Sequence, residues 1–258
     1  MRKLFYGVLS CLTILSFFAC GDDSEDSEPQ KPLGGNDEPQ ELLGDTNGYE
    51  FVDLDLPSGN LWATMNLGAS AIQEYGDVYS WGETELKDSW SNFTYKLYQM
   101  EEIGEGENAT TIQGHTKYVP KDQAEKYGFK GFYDDKVTLE LEDDAAHVVM
   151  GGSWRIPKDS DWKELRQNCE AQWCIYEDVH GYKFTGKNGA WIFLPAAGVG
   201  DWSKRRYEEQ YGYYWSSSVV ADEPSAGKCL TFNSSACFVY GNFRYDGSSI
   251  RAICPTKK

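Results

Sequence analysis

Six consecutive residues, Trp202-Ser203-Lys204-Arg205-Arg206-Tyr207, place three cations beside two aromatic rings. Tryptophan, tyrosine and arginine anchor interfaces, and aromatic faces stack against the apolar faces of sugars. Phe243-Arg244-Tyr245 has the same character nearer the C-terminus. We take Trp202, Lys204, Arg205, Arg206, Tyr207, Arg244 and Tyr245 as candidate ligand-binding residues, forming one surface if their two loops meet. The competing account is that these cations pair with surrounding acids. The chemistry they suit is recognition of a glycan or an extracellular protein, not bond breaking.

Residues for catalysis or metal binding are not arranged in a telling way. His115, His147 and His180 lack metal-ligand spacing and are expected to be surface or internally satisfied residues. There is no Gly-x-Ser-x-Gly elbow, no His-Glu-x-x-His and no phosphate-cradling loop. A glycosidase needs two facing carboxylates, but with 41 acidic residues no particular pair stands out. We expect no catalytic residue, no metal and no cofactor. A polysaccharide-acting enzyme and a structural subunit of a surface assembly are the alternatives to a binding or adhesion module.

Seven cysteines indicate an exported protein. Cys11 lies in the apolar N-terminal stretch and Cys20 at its end, leaving Cys169, Cys174, Cys229, Cys237 and Cys254. An odd count forces at least one free thiol or an intermolecular bond. Cys169 with Cys254 would clamp the ends of the domain. Cys229 and Cys237 flank Asn233-Ser234-Ser235, a hairpin turn across which they could face each other.

Arg2 and Lys3 precede an apolar run from Leu4 to Ala19, shorter than the roughly 20 residues that span a bilayer as a helix. Residues 1–19 are therefore expected to be a signal peptide. Phe17-Phe18-Ala19-Cys20 resembles a bacterial lipoprotein cleavage box, which would make Cys20 the lipidated residue. Residues 20–48 are acidic and poor in apolar side chains, as expected of a flexible tether. Asp22, Asp23, Glu25 and Asp26 resemble the surface-export signal of Bacteroidetes lipoproteins. The expected address is the outer membrane, held by the lipid anchor alone and facing outward. Loss of residues 1–19 leaves 22 basic against 41 acidic residues, a net charge of −19. Such a field repels phosphate backbones, so nucleic acid is not expected as a partner.

The elements that must position these residues read as one domain over 49–258. Short strands open it, with turns at Pro57-Ser58-Gly59 and after Leu67. Residues 86–135 are polar and glycine-punctuated, expected to be an irregular insertion. Asp143 to Val149 reads as a helix with its acids at the start. A second helix follows Pro157, carrying Trp162 and Leu165 on one face and capped by Asp159 or Ser160. From Cys174 onward short strands alternate with glycine turns. Two helices followed by a strand meander predict an α+β class. Trp62, Trp81, Trp154 and Trp215 are expected in the core.

Several ordered motifs resemble the Fibrobacter succinogenes major paralogous domain family. Leu56-Pro57-Ser58-Gly59 with Leu61-Trp62-Ala63-Thr64 opens the resemblance, and Trp81-Gly82-Glu83-Thr84 and Trp154-Arg155-Ile156-Pro157 continue it. Phe193 to Gly198, Tyr214 to Ser218 and Ile250 to Cys254 complete it. That family is similar to C-type lectin-like domains, which implies two helices, a small twisted antiparallel sheet and long irregular loops. The resemblance also favours a Cys169–Cys254 bridge. Lectin calcium loops carry Glu-Pro-Asn and Trp-Asn-Asp. Here the nearest piece is Glu223-Pro224-Ser225 with no Trp-Asn-Asp, so a calcium-dependent sugar site is not expected.

Overall fold

Both ends of the described chain enter one sheet. The computed structural model describes residues 44–256. Strands β1 (Gly44–Thr46), β2 (Tyr49–Asp53), β3 (Leu61–Ala63) and β14 (Ile253–Cys254) pair in that order, each antiparallel to the next. Asn47 and Gly48 both have positive φ between β1 and β2, the two-residue turn whose twist suits a hairpin. The expected leader, Cys20 and residues 20–43 of the expected tether lie outside the described residues. Residues 44–48 belong to β1 and its turn.

Residues 86–135, expected to be irregular, carry the hairpin of β4 (Tyr98–Ile103) and β5 (Thr110–His115) and the one-turn helix α1 (Ala124–Tyr127). Helix α2 (Ala145–Met150) starts from Asp144, whose carboxylate accepts the His147 N–H at 3.0 Å. Helix α3 (Asp159–Asn168) starts one residue earlier than its expected caps allow. Lys158 holds the N-cap position, and Asp161 Oδ2 accepts its N–H at 2.7 Å, so the helix's own third residue does the capping. Trp162 and Leu165 form the buried face of α3.

The remaining strands pair locally. Strands β6 (Glu170–Tyr176), β7 (Val179–Thr185) and β8 (Trp191–Pro195) form one antiparallel sheet. Strands β9 (Val199–Asp201) and β10 (Lys204–Arg206) form a hairpin. Strands β11 (Gly212–Val219), β12 (Ala226–Asn233) and β13 (Ala236–Phe243) form another antiparallel sheet.

This corrects the expected class. The described residues are mostly β, at 39% strand against 15% helix, in five small sheets with three short helices. A compact two-helix α+β fold of the C-type lectin-like kind is therefore not what the chain adopts. The reason is local. Most strands pair with their sequence neighbours, whereas only the sheet holding β14 closes over long range. Among the described residues no helix is long and apolar enough to cross a membrane.

Trp62, Trp81, Trp154 and Trp215 are fully buried. One core packs Trp81, Trp154 and Trp215 around β3 and β14, and a second packs Trp62, Trp162 and Phe232 beneath α3. Four indole N–H groups reach backbone carbonyls: Trp81 that of Ser216 at 2.7 Å, Trp215 that of Tyr79 at 2.6 Å, Trp154 that of Thr46 at 3.0 Å and Trp162 that of Trp215 at 3.2 Å. Arg251, also fully buried, donates to Asn66 Oδ1 at 2.9 and 3.1 Å and to the carbonyls of Ala63, Thr64 and Phe193. Burial holds its pKa down at about 10, yet its donors meet oxygen acceptors in place of water.

The expected disulfides, Cys169 with Cys254 and Cys229 with Cys237, are absent. Cys169 ends α3 and packs on the core under that helix, whereas Cys254 lies in the other core. Register separates the second pair. Cys229 lies opposite Tyr240 and Cys237 opposite Phe232, three positions further along β12. An odd offset puts the two thiols on opposite faces of the sheet, about 10 Å apart along the strand, which no disulfide spans.

Candidate ligand-binding groove

The hairpin of β6 and β7 builds one wall of an open groove. Trp173 lies opposite Tyr182 and Ile175 opposite His180, so the period of two puts all four side chains on one face. His180 stacks on Trp173 at 5.8 Å and 23°, and Tyr182 meets the same indole edge-on at 5.7 Å. Phe232 packs against both Tyr182 and Trp173, so the wall is continuous with the core beneath it.

The opposite side comes from the turn between β10 and β11, where Tyr207 and Glu209 both have positive φ. Tyr207 O accepts the Tyr211 N–H at 3.0 Å, and the Glu209 N–H reaches the Ala196 carbonyl at 2.8 Å. This turn aims Glu209 at the first wall. Glu209 Oε2 accepts the His180 backbone N–H at 2.8 Å and its Nδ1 at 2.9 Å, while Oε1 accepts the Tyr75 hydroxyl. With a carboxylate accepting at Nδ1, that nitrogen carries a proton, and Nε2 is the ring's second polar atom.

The third side is the turn joining β12 to β13. Asn233 Oδ1 accepts the N–H groups of Ser235 at 2.8 Å and Ala236 at 3.0 Å, which fixes the loop. Ser234 and Ser235 are exposed at its tip. With Gln210 and Tyr211 on the facing turn, these residues border an open groove of about 500 Å³, a volume in the range of small-molecule and sugar sites. Aromatic faces stand beside amide and hydroxyl groups, the combination that suits polyhydroxylated ligands.

A row of tyrosines leaves this groove. Tyr211 meets Tyr207 edge-on at 5.8 Å and stacks with Tyr213 at 6.1 Å and 28°. Tyr207 is half exposed, so the row continues the groove onto the surface.

The residues singled out in the sequence divide into two groups. Trp202 stands 59% exposed at the turn between β9 and β10, its backbone exchanging hydrogen bonds with Trp90. Lys204 and Arg206 are exposed beside it, and Arg206 Nε lies 3.0 Å from Asp201. Tyr207 adjoins the groove through Tyr211. The hairpin and the segment around Tyr245 meet, because Gly200 and Gly247 exchange both backbone hydrogen bonds. Tyr245 is half-buried and stacks flat on Phe243 at 5.1 Å.

Two arginines do not belong to that surface. Arg205 Nη2 donates to the Gly76 carbonyl at 2.6 Å and its guanidinium lies over the Tyr75 ring, so it fastens the turn from within. Arg244 is fully buried, its guanidinium 4.7 Å from the Trp81 ring and bonded to the Tyr95 hydroxyl and the carbonyls of Lys117 and Pro224. Both cations are captured by carbonyls and aromatic faces, not by acids or solvent.

The groove residues Trp173, Glu209, Gln210 and Tyr211 were not singled out in the sequence, and His180 was named there only as a surface or internally satisfied residue. One signal was present: Glu208-Glu209-Gln210-Tyr211 directly continues the basic aromatic stretch. Asn233 to Ser235 read as a turn, and only its position makes it a wall. Elsewhere, Glu140, Glu142 and Asp143 cluster, but Lys117 lies 3.0 and 2.7 Å from the last two and Lys136 lies 2.6 Å from the first. Two lysines thus answer the three carboxylates of that cluster.

Comparison with family models, curated proteins and solved structures found no match to this chain.

Proposed function

We propose that this chain is a lipid-anchored surface protein of the paralogous-domain kind whose folded part is a non-catalytic binding module, holding a glycan in the groove between Trp173 and Tyr211. The observation that carries the reading is the groove's lining. Aromatic rings stand beside Gln210, Ser234, Ser235 and the imidazole of His180, around a volume of about 500 Å³. Glu209 is the one carboxylate among its lining residues, and both of its oxygens are occupied. Glycoside hydrolysis uses two carboxylates, which favours holding over cleaving. The acyl anchor on Cys20 and the outward address follow from the sequence and form part of the same proposal.

A glycan array probed with the full chain and with Tyr211→Ala tests the reading. The wild type is expected to retain a subset of glycans, with retention lost in the variant and the circular dichroism spectrum unchanged. Equal retention by Tyr211→Ala overturns the groove as the site. The double variant Trp202→Ala, Arg206→Ala then reports whether the neighbouring hairpin carries binding instead. Release of reducing sugar from a retained polysaccharide overturns the non-catalytic part.

A further inference from the structure

Resting on the reading of the groove as a glycan site, we infer that its ligand is a neutral oligosaccharide chain and that uronate-bearing or sulfated glycans are rejected. Recognition of a carboxylate or sulfate calls for a guanidinium, an ammonium or converging N–H donors. No lysine or arginine is among the lining residues, and the one histidine is tied through Nδ1 to Glu209. An anionic sugar entering the groove would face the Glu209 carboxylate within a chain of net charge −17. Of the cations on the neighbouring hairpin, Arg206 pairs with Asp201, Arg205 is turned inward onto Gly76, and Lys204 is exposed but is not among the lining residues.

Neutral hydroxyls meet suitable partners. Gln210, Ser234 and Ser235 can each donate and accept, and none of the three requires charge in the ligand. The tyrosine row sets the ligand's length. Tyr211, which lines the groove, is followed towards the surface by Tyr207 at 5.8 Å, a step comparable to one pyranose unit, while Tyr213, 6.1 Å to the other side, packs against the core and backs the row. A single sugar would use the groove alone, whereas a chain also covers the half-exposed Tyr207. The site is built for several linked units.

Affinity electrophoresis of the full chain through gels holding neutral polysaccharides (β-glucan, xylan, mannan) or acidic ones (polygalacturonate, chondroitin sulfate) tests the charge rule. Calorimetry with neutral oligosaccharides of increasing length tests the row. Retardation is expected in at least one neutral gel and in no acidic gel, and affinity is expected to rise with length. Tyr207→Ala should remove that gain, roughly tenfold, while leaving the shortest ligand's affinity unchanged. Gln210→Lys should create retention by acidic polysaccharide. Acidic retention by the wild type equal to neutral retention overturns the charge rule and leaves the groove reading standing. A Tyr207→Ala profile identical to wild type overturns the role of the row. Retention by neither class overturns the glycan reading itself.

Discussion

Asp201 and Asp246 face each other across an antiparallel bridge. Gly200 and Gly247 exchange both backbone hydrogen bonds, at 2.7 and 2.8 Å, so the next residues form a close, non-hydrogen-bonded pair. Their side chains share one face with Cβ atoms about 5 Å apart, where like charges repel. Burial first, and the Asp201 charge second, push the Asp246 carboxyl up to about 7. Tyr213, Tyr245 and Cys229 also surround it, and Arg206 answers Asp201.

This relationship predicts a stability profile with a definite sign. An unfolded aspartate titrates near about 3.9, so between that pH and 7 the folded state binds the extra proton. Stability from this group is full below about 4 and declines as pH rises through 7. Asp246→Asn removes the ionisation and should raise stability at pH 8 by roughly 1–2 kcal/mol, with little change at pH 4. Urea unfolding at both pH values decides it, and equal effects at the two would exclude the pairing.

Gly200 and Gly247 are also fixed by Trp90, whose indole lies across both. A Cβ at Gly200 would come within 2.7 Å of that ring, and one at Gly247 within 2.6 Å. The glycines are needed for close approach, since neither has the positive φ that favours glycine. Gly247→Ala should displace the indole and cost about 1–3 kcal/mol. A shift in tryptophan emission together with a lower thermal midpoint is the expected signature, and unchanged emission would count against the contact.

Arg251 offers a sharper test of the interior. It unites the loop after β3 with β8 through Asn66 and three carbonyls. Arg251→Lys keeps the charge but has three donors in place of five, so buried acceptors lose their partners. We expect a loss of about 2–4 kcal/mol for Lys, seen as a lower urea midpoint at unchanged slope. A variant as stable as wild type would show that the bonds to Asn66 and the carbonyls contribute little.

Burial pushes the thiols up, Cys229 to about 12 and Cys169 and Cys237 to about 11. A thiol held protonated is a poor nucleophile. Cys229 should resist alkylation in the native state and react once unfolded, and reductant should leave the thermal midpoint of the folded domain unchanged. Mass spectrometry of alkylated peptides reads the first outcome. A reductant-dependent midpoint would reveal a bridge.

What was legible in the sequence depended on how local its cause was. The helix after Pro157, the helix with acids at its start and the four buried tryptophans follow from short-range patterns; the tryptophans are buried as expected, while α3 begins one residue before, and α2 two residues after, its expected start. The overall class failed because two short helices weigh little once residues 86–135 supply their own hairpin. Glycine-punctuated polar sequence reads alike as loop or as an exposed hairpin such as β4 and β5. The groove was hidden for a different reason. Trp173 and Ser234 come from two separate hairpins and Glu209 from the connection between β10 and β11, and pattern within any one of these says nothing of their meeting. Arg244 was misplaced because a cation beside aromatics looks the same whether those rings face solvent or enclose it.

Among the described residues the three-residue β1 pairs with nothing but β2, while β2 and β3 are closed from the far side by β14, the last of the described strands. Tension arriving along residues preceding Gly44 would reach β1 first and unzip it rung by rung. The interlocked strands behind would still be whole. Should the protein hang from a membrane while gripping something outside, that short ribbon would act as a fuse, yielding length before the ligand's seat is disturbed.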